Sequence, residues 1–182
     1  LGHELASQLS AAGASLLLAG RAEARLNEMR AALPGETAIV CADLTSTDGI
    51  ARTTRAAQQF NANVLINNAG AGAFGLLENQ PWDTVEQVLS TSLEAPIHLT
   101  HALLPWLRAQ PQAAIVNIGS TFGSIPFAGF AAYSAAKAGL RGFSPALRRE
   151  LADPPTSVIH LPPRALDPAM NLSLIPILTL PT

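Results

Sequence analysis

The chain alternates short, almost wholly apolar runs with longer stretches in which apolar side chains recur every three or four positions. Short apolar runs are typical of strands buried on both faces, and the longer period is typical of helices with one buried face. The runs predict strands at residues 15–19, 37–42, 64–67, 113–118 and 157–161. The periodic stretches predict helices at residues 2–12, 23–33, 47–60, 81 to about 107, and 133–151. Strands that alternate with helices predict an α/β fold built on a doubly wound parallel sheet.

The length and composition of the chain indicate how many domains it forms and which partners it can bind. The 182 residues are enough for one core and show no internal boundary, so 1–182 is predicted to be a single domain. A net charge of −2 with 13% charged residues argues against nucleic acid as a partner. The apolar run at 172–180 is too short to span a membrane, and the first residues do not resemble a secretion signal. The single cysteine, Cys41, lies in an apolar run, which predicts a buried thiol in a reducing, cytoplasmic location.

Residues suited to catalysis follow the fourth apolar run, residues 113–118. Ser120 comes directly after that run, and Tyr133, the only tyrosine, precedes Lys137 by one helical turn. A phenol ionises near pH ~10, so a neighbouring ammonium is expected to lower the pKa of Tyr133 toward neutrality. The three groups suit proton delivery to a carbonyl oxygen, although a tyrosine four positions before a lysine is more often a packed ring beside a solvated charge. Phe122 and Phe127 could line an apolar substrate pocket or pack in the core.

Three motifs, in order, carry a resemblance to a known family. They are NNAG at residues 67–70, NIGS at 117–120 and YSAAK at 133–137, each beside a predicted strand or helix. Together they resemble the short-chain dehydrogenase/reductase family over nearly the whole chain. The resemblance implies a Rossmann-type sheet and an NAD(P)-dependent oxidoreductase that interconverts a carbonyl and an alcohol, with Ser120, Tyr133 and Lys137 as catalytic residues. It also implies a small-molecule substrate and a bacterial-like enzyme that assembles as a homodimer or homotetramer.

The same resemblance indicates where a cofactor binds. Gly20 stands where NAD-preferring members carry an acid, and Arg21 follows, as in NADP-preferring members. A guanidinium can pair with a 2′-phosphate, so NADP is expected rather than NAD, with an ordinary surface arginine as the alternative. Asp43 matches the family's acid near the adenine, or it simply caps a turn. The other implied cofactor contacts are Gly2, Leu44, Asn68, Ala69, Gly70, Tyr133, Lys137, Pro163 and Arg164.

Two further patterns are considered and set aside. GxGxxG at residues 70–75 follows a strand, but a dinucleotide fingerprint needs a helix to begin at its glycines, and the next helix signal is Pro81. His98 and His101 share a predicted helix face with no third ligand in view, so no metal site is predicted.

The sequence departs from the family pattern at several positions. Ser92 stands where the family has an asparagine that holds a relay water, and it is a doubtful, shorter substitute. Pro145 lies inside the helix that carries Tyr133, and a kink or break is predicted there. Pro168 stands where a threonine is expected. Residues 171–182 are too few to supply both the substrate lid and the final strand of the family.

The family's first strand and most of its glycine-rich turn have no counterpart in this sequence. That strand is central in a doubly wound sheet, so the strands at 15–19 and 64–67 are expected to face each other across a vacant position. Such a sheet should stay open, borrow a strand or fold poorly, because rows of backbone groups lose their partners. The alternative to an active enzyme is therefore a catalytically inactive fragment or a relative that binds a nucleotide without turnover.

Overall fold

A computed structural model describes residues 1–152, 156–163 and 175–179. The described strands are β1 Ser15–Gly20, β2 Thr37–Cys41, β3 Val64–Asn67, β4 Ala113–Ile118, β5 Thr156–Leu161 and β6 Ile175–Thr179. They form one sheet in the order β2-β1-β6-β3-β4-β5. The pairs β1–β2, β3–β4 and β4–β5 are parallel, so the predicted α/β fold with a parallel doubly wound sheet is confirmed for these five strands.

The helices agree closely with the predicted pattern. In the described residues they are α1 Gly2–Ala11, α2 Glu23–Ala32, α3 Thr47–Gln59, α4 Trp82–Leu89, α5 Ala95–Arg108 and α6 Ala131–Glu150. A π-helical turn, Ser90–Glu94, joins α4 to α5, and a short 3-10 turn, Thr121–Gly123, follows β4. The long predicted helix at residues 81–107 is therefore two α-helices with a wider turn between them.

The centre of the sheet differs from the prediction. β6 lies between β1 and β3 and runs antiparallel to both, so a strand of this chain fills the position expected to be vacant. The prediction that residues 157–161 form the last strand is therefore wrong. β6 pairs with all five residues from Ser15 to Ala19 but with only Val64 and Leu65 of β3. Each buried backbone group left unpaired costs about 1–3 kcal/mol, which favours any apolar segment that can enter the gap.

Helix α6 continues through Pro145, so the predicted break is absent. Proline removes the amide hydrogen that would bond to the carbonyl of Arg141. Leu140 and Leu147 are buried on either side of the proline, and their packing holds the helix together. The adjacent Ser144 is also buried, and its hydroxyl donates to the carbonyl of Leu140 at 2.8 Å.

Helices cover both faces of the sheet. Along β1, alternate side chains point to opposite faces, with Leu17 on one face and Leu16 and Leu18 on the other. The face that contains Leu17 packs against α3, α5 and α6, and the opposite face packs against α1 and α2. Both faces of β1 and β3 are thus buried along almost their whole length, and the predicted site residues lie mainly beyond the strand ends.

The structure can be compared with the expectations about the burial of Cys41 and about a membrane-spanning segment. Cys41 is half-buried on β2 rather than buried, and its thiol contacts the carbonyl of Arg21 at 3.4 Å. Of the helices in the described ranges, none has the length and apolar character needed to cross a bilayer.

Candidate active site

The predicted site residues gather along one edge of the sheet. β1, β3, β4 and β5 all run in the same direction, because β1 and β3 are both antiparallel to β6. Their carboxyl ends therefore meet at one edge, where doubly wound sheets bind ligands. Arg21 follows β1, Asn68 follows β3, Ser120 lies just beyond β4, and Pro162 follows β5.

Ser120, Tyr133 and Lys137 come together at this edge. The Ser120 side chain is close enough to the Tyr133 phenol to lower its pKa through hydrogen bonding, and the Ser120 Oγ accepts the amide N–H of Phe122 at 3.2 Å. The Lys137 Nζ lies 5.8 Å from the centre of the Tyr133 ring and donates to the carbonyl of Ile118 at 2.8 Å. One helical turn separates the phenol from the amine, and the end of β4 supplies the hydroxyl and the carbonyl.

Burial controls the protonation of the Tyr133 phenol and the Lys137 amine. It raises the pKa of Tyr133 above the ordinary value, against a smaller lowering by the hydrogen bond with Ser120. Burial also lowers the pKa of Lys137, the only lysine in the chain, to about 8, since its side chain is 3% exposed. The prediction that Lys137 lowers the pKa of Tyr133 is therefore wrong, because loss of hydration dominates at the phenol. At neutral pH the phenol is protonated and the amine is mostly charged.

Ser92 lies in the π-helical turn and is fully buried. Its Oγ accepts the amide N–H of Ala71 at 3.0 Å and donates to the carbonyl of Ala71 at 2.9 Å. A hydroxyl has one hydrogen, and here it is used to hold the loop that follows β3. Ser92 therefore fastens this loop and has only an acceptor position left for a relay water. Gly70 lies beside it, since a β-carbon there would be 3.6 Å from both the Ser92 Oγ and the Lys137 Nζ.

A buried polar network that the sequence reasoning missed lies beneath this loop. The Asn67 Nδ2 donates to the Thr100 Oγ1 at 3.0 Å and to the Asn117 Oδ1 at 2.8 Å. The Asn117 Nδ2 in turn donates to the Ser144 Oγ at 3.0 Å. The network joins β3 and β4 to α5 and α6, so it sets the spacing between the loop after β3 and the serine after β4. The first asparagine of each motif, NNAG and NIGS, was the available signal.

A small pocket lies where β1 and β2 end. It is lined by Gly20, Arg21, Ala42, Asp43, Leu44, Thr45, Ala69 and Thr91. The Asp43 Oδ1 accepts the amide N–H of Thr45 at 3.0 Å and its hydroxyl at 2.8 Å. These two bonds hold the pKa of Asp43 below its ordinary value, with a smaller contribution from Arg21. Asp43 thus caps a turn and lines the pocket at the same time.

Thr91, which the sequence reasoning missed, contributes an unpaired hydroxyl to the lining of this pocket. Its side chain is 7% exposed, and its Oγ1 is buried without a hydrogen-bond partner among the described residues. A buried hydroxyl normally has a partner, so the pocket offers an unsatisfied group beside a carboxylate and a guanidinium. This donor and acceptor set fits the adenosine part of a dinucleotide.

An apolar cavity of about 260 Å³ lies near the ends of β4 and β5. It is lined by Leu1, Leu5, Ile118, Leu161, Pro162 and Pro163. Gly2 is buried at the first position of α1, beside this cavity, and the carbonyl of Pro163 accepts the amide N–H of Thr121 at 3.2 Å. Arg164 and Pro168 lie outside the described residues.

Five aromatic rings, one of them that of Tyr133, form a continuous set of ring contacts, called the aromatic cluster below: Phe74, Phe122, Phe127, Phe130 and Tyr133. Phe122 and Phe127 stack with their centres 5.6 Å apart and their planes at 8°. Phe127 is 57% exposed, so the alternative of core packing is wrong for this residue. The sequence reasoning missed Phe74 and Phe130, although two further phenylalanines near the glycine-rich loop and the helix start were visible.

His160 on β5 was also missed. Its ring occupies the space next to Gly119, where any β-carbon would overlap the imidazole. The His160 Nε2 is buried without a hydrogen-bond partner in the described part of the chain. Burial lowers the pKa of His160, and the positive charges of Lys137, Arg141 and Arg148 lower it further. The ring is therefore neutral at neutral pH and packs directly against the residue that precedes Ser120.

The two patterns that were set aside can also be located. No helix begins at the glycines of residues 70–75, and the next described element is the 3-10 turn Leu77–Asn79. The helix that a dinucleotide fingerprint requires is therefore absent at this motif. His98 and His101 are exposed on α5, and the described residues contain no group of three or more potential metal ligands.

Comparison with known proteins gives consistent matches. A family model described as short chain dehydrogenase matches residues 1–176. The uncharacterized oxidoreductase DltE of Bacillus subtilis (strain 168) is 34% identical over 180 residues, which covers 94% of this chain and 69% of that protein. A short-chain dehydrogenase from Streptomyces avermitilis superposes with a TM-score of 0.85 at 30% identity, over 93% of this chain and 63% of that one.

A third match is an enzyme solved with a bound cofactor. The closed form of serine dehydrogenase complexed with NADP+ has a TM-score of 0.82 at 28% identity, over 90% of this chain and 68% of that one. The chain therefore spans 63% to 69% of the length of these three proteins.

Proposed function

Because the chain belongs to the short chain dehydrogenase family, we propose that it interconverts a carbonyl compound and an alcohol with NADP as its cofactor. Membership of the family carries the coarser statement, an NAD(P)-dependent oxidoreductase with a small-molecule substrate. The finer proposal rests on one observation: Tyr133 lies beside both Ser120, which lowers its pKa, and the buried Lys137 Nζ, which is 5.8 Å from the centre of its ring. That the protein is cytoplasmic and forms a homo-oligomer remains a prediction from the sequence.

Each catalytic residue has one role in the direction of reduction. Tyr133 donates its phenolic proton to the substrate oxygen as negative charge develops there. Its raised pKa keeps the phenol protonated at neutral pH, as a proton donor requires. The Ser120 hydroxyl donates a hydrogen bond to the same oxygen and so positions the carbonyl before the proton moves. When bound, the nicotinamide would supply the hydride to the carbonyl carbon, and the ammonium of Lys137 would hold the nicotinamide ribose.

The preference for NADP rests on the first residues after β1. Arg21 is exposed at the rim of the adenosine pocket, and Gly20 carries no carboxylate that would repel a 2′-phosphate. The one salt bridge within the described ranges joins Arg52 to Asp48, which leaves the Arg21 guanidinium open to a phosphate. Asp43, Thr91 and the loop after β3 would hold the adenosine, and Lys137 the nicotinamide ribose.

The test removes the phenolic hydroxyl with Tyr133→Phe. We expect NADPH consumption with a panel of ketones and aldehydes to fall about a thousandfold, because the proton donor is lost. NADPH binding, measured by calorimetry, should change less than about threefold, since the ring and Lys137 remain. Ser124→Ala is the control, because it removes an exposed hydroxyl from the segment that follows Ser120 without touching the catalytic group.

Two further readouts make this test decisive. Since Tyr133 is the only tyrosine, its phenolate absorbance reports its pKa alone, which we expect above that of free tyrosine. NADPH should bind at least about tenfold more tightly than NADH, and Arg21→Gln should cancel that difference. Full turnover by Tyr133→Phe would reject the proposed chemistry, and equal affinity for the two cofactors would reject the proposed preference.

The second candidate is a protein that binds the nucleotide without turnover. Ser92 favours it, because the hydroxyl that would donate to a relay water is bonded to the carbonyl of Ala71. An NADPH-dependent rise in melting temperature, with no NADPH oxidation by any carbonyl compound, would support this candidate over the enzyme.

A further inference from the structure

We propose that the aromatic cluster binds an aromatic or similarly bulky apolar group of the substrate, and that the substrate is a neutral carbonyl compound. The inference rests on the proposed carbonyl chemistry at Tyr133 and names the class of substrate for that site.

The cluster is continuous with the groups that would hold the carbonyl. Phe122 and Phe130 meet the Tyr133 ring edge-on, with centres 6.2 Å and 6.3 Å away. The amide of Phe122 donates to the Ser120 Oγ, so the first phenylalanine is fixed directly to the predicted carbonyl ligand. A carbonyl held by Ser120 and Tyr133 would therefore have its substituent within reach of these rings.

A hydrogen bond between two loops brings the fifth ring, Phe74, to the cluster. The amide of Gly75 donates to the carbonyl of Gly129 at 2.9 Å, which ties the loop after β3 to the start of α6. Gly129 has φ of +83°, and a β-carbon there would lie 2.5 Å from the Phe74 ring. Only glycine allows both the backbone conformation and the close approach. The Phe74 ring consequently lies 5.2 Å from Phe130.

The segments that carry the cluster have no charge. Residues 71–77 and 121–132 contain no aspartate, glutamate, lysine, arginine or histidine. A carboxylate or phosphate on the substrate would lose water against these segments without gaining an ionic partner. The surroundings of the cluster thus favour a neutral substituent.

The rings also leave apolar surface open to the substituent. Phe74 is 74% exposed and Phe127 is 57% exposed, and Ile125, two residues before Phe127, is 73% exposed. Single exposed apolar residues are ordinary, but a contiguous group beside a polar site is typical of a binding surface. An aryl group would gain from burial and from offset or edge-on contact with the rings.

The test compares three ketones on the purified chain with NADPH: acetophenone, acetone and 4-acetylbenzoate. The first two differ only in phenyl against methyl, and the third adds a carboxylate to the aryl ketone. We expect kcat/KM for acetophenone to exceed that for each of the others by at least about tenfold. Phe127→Ala should lower the acetophenone-to-acetone ratio about tenfold, mainly through KM for acetophenone.

Trp82→Ala is the matched control, since Trp82 is a 68% exposed ring outside the cluster, and it should leave the ratio unchanged. Binding is measured separately by saturation-transfer NMR of acetophenone, which needs no turnover. Saturation transfer that Phe127→Ala abolishes would support the aryl site even if no ketone were reduced, in which case only the proposed function fails.

Three results would overturn the inference. One is equal use of acetone, or preference for 4-acetylbenzoate, which would leave the proposed oxidoreductase chemistry standing. The second is an equal effect of Phe127→Ala and Trp82→Ala on the ratio. The third is a change in molar mass by light scattering in Phe127→Ala with no change in the ratio, which would assign the exposed rings to an interface between copies of this chain.

Discussion

The two ends of the site are built in different ways. On the catalytic side, buried groups are held by contacts between residues far apart in the chain, such as Lys137 to Ile118 and Ser92 to Ala71. On the adenosine side, the exposed carboxylate of Asp43 is held by its neighbour, two residues along. The same contrast appears in the pKa shifts, since burial comes first at Lys137 and hydrogen bonds come first at Asp43.

This difference separates what is rigid from what is adaptable. Buried polar groups with several fixed partners can adopt only one arrangement, because any displacement leaves a group unpaired at a cost of about 1–3 kcal/mol. An exposed turn can rearrange and exchange its hydrogen bonds for water at little cost. The proposed catalytic residues are therefore held in place before a ligand arrives, whereas the proposed adenosine pocket can adjust to one. Three measurements can break or sharpen this comparison.

The largest difference is expected between Asn117→Ala and Thr45→Ala. Asn117→Ala strands polar atoms of Asn67 and Ser144 in the core and leaves a cavity, so the free energy of unfolding should fall by about 3–5 kcal/mol. Thr45→Ala removes only one of the two hydrogen bonds to the exposed carboxylate of Asp43, because the backbone amide of residue 45 remains. It should lower the free energy of unfolding by less than about 1 kcal/mol. Urea denaturation measures both, and similar losses would contradict the comparison.

The next largest effect is a pH dependence that comes from Lys137. Its pKa is about 8 in the folded protein and 10.5 in the unfolded chain, so between these values the unfolded chain binds more protons. The free energy of unfolding should therefore rise with pH, by about 2 kcal/mol from pH 8 to pH 10. Lys137→Met should remove this rise, and no other lysine contributes to it.

The raised pKa of Tyr133 acts with the opposite sign. Its neutral form is favoured in the folded state, so its ionisation lowers stability only at pH values above those of the Lys137 window. A wild-type curve that stays flat from pH 8 to pH 10 would show that Lys137 is not desolvated.

The last prediction compares the stability of variants at two glycines, Gly123 in the turn that packs against α6 and Gly142 within α6. A β-carbon on Gly123 would lie 2.7 Å from the backbone carbonyl of Lys137, so Gly123→Ala must push the turn away from the helix. We expect a loss of about 1–3 kcal/mol in unfolding free energy. Gly142 has open space around it, and Gly142→Ala should instead stabilise the helix by about 0.5–1 kcal/mol. Calorimetric melting of both variants tests the pair, and a gain in both would refute close packing at Gly123.

Sequence reasoning succeeded where structure is decided locally. The strands at residues 64–67 and 113–118 have the predicted bounds, because a short apolar run between polar residues leaves few alternatives. The cap at Asp43 was also within reach, since its partner is two residues away. In each case the deciding contacts lie within a few positions of the residue concerned.

Where distant residues decide, the sequence was insufficient. The spacing identified Ser92, but its partner Ala71 lies 21 residues away and could not be named. The phenol of Tyr133 was expected to respond to the cation one turn along, but loss of water around the ring has the larger effect. Residues 172–180 were considered as a membrane span, and periodicity alone could not show that part of this run enters the sheet.

The position of β6 between β1 and β3 also affects how the chain folds while it is being synthesised. Leu17 pairs with Ile177, so a hydrogen-bonded neighbour of β1 is translated 160 residues after it (177 minus 17). Until residue 179 has left the ribosome, β1 and β3 keep open backbone edges that can pair with other chains. Pairing over so long a separation is also slow to form. The nascent chain is therefore exposed to misassembly until β6 has been made, and a chaperone that shields strand edges would raise its folding yield.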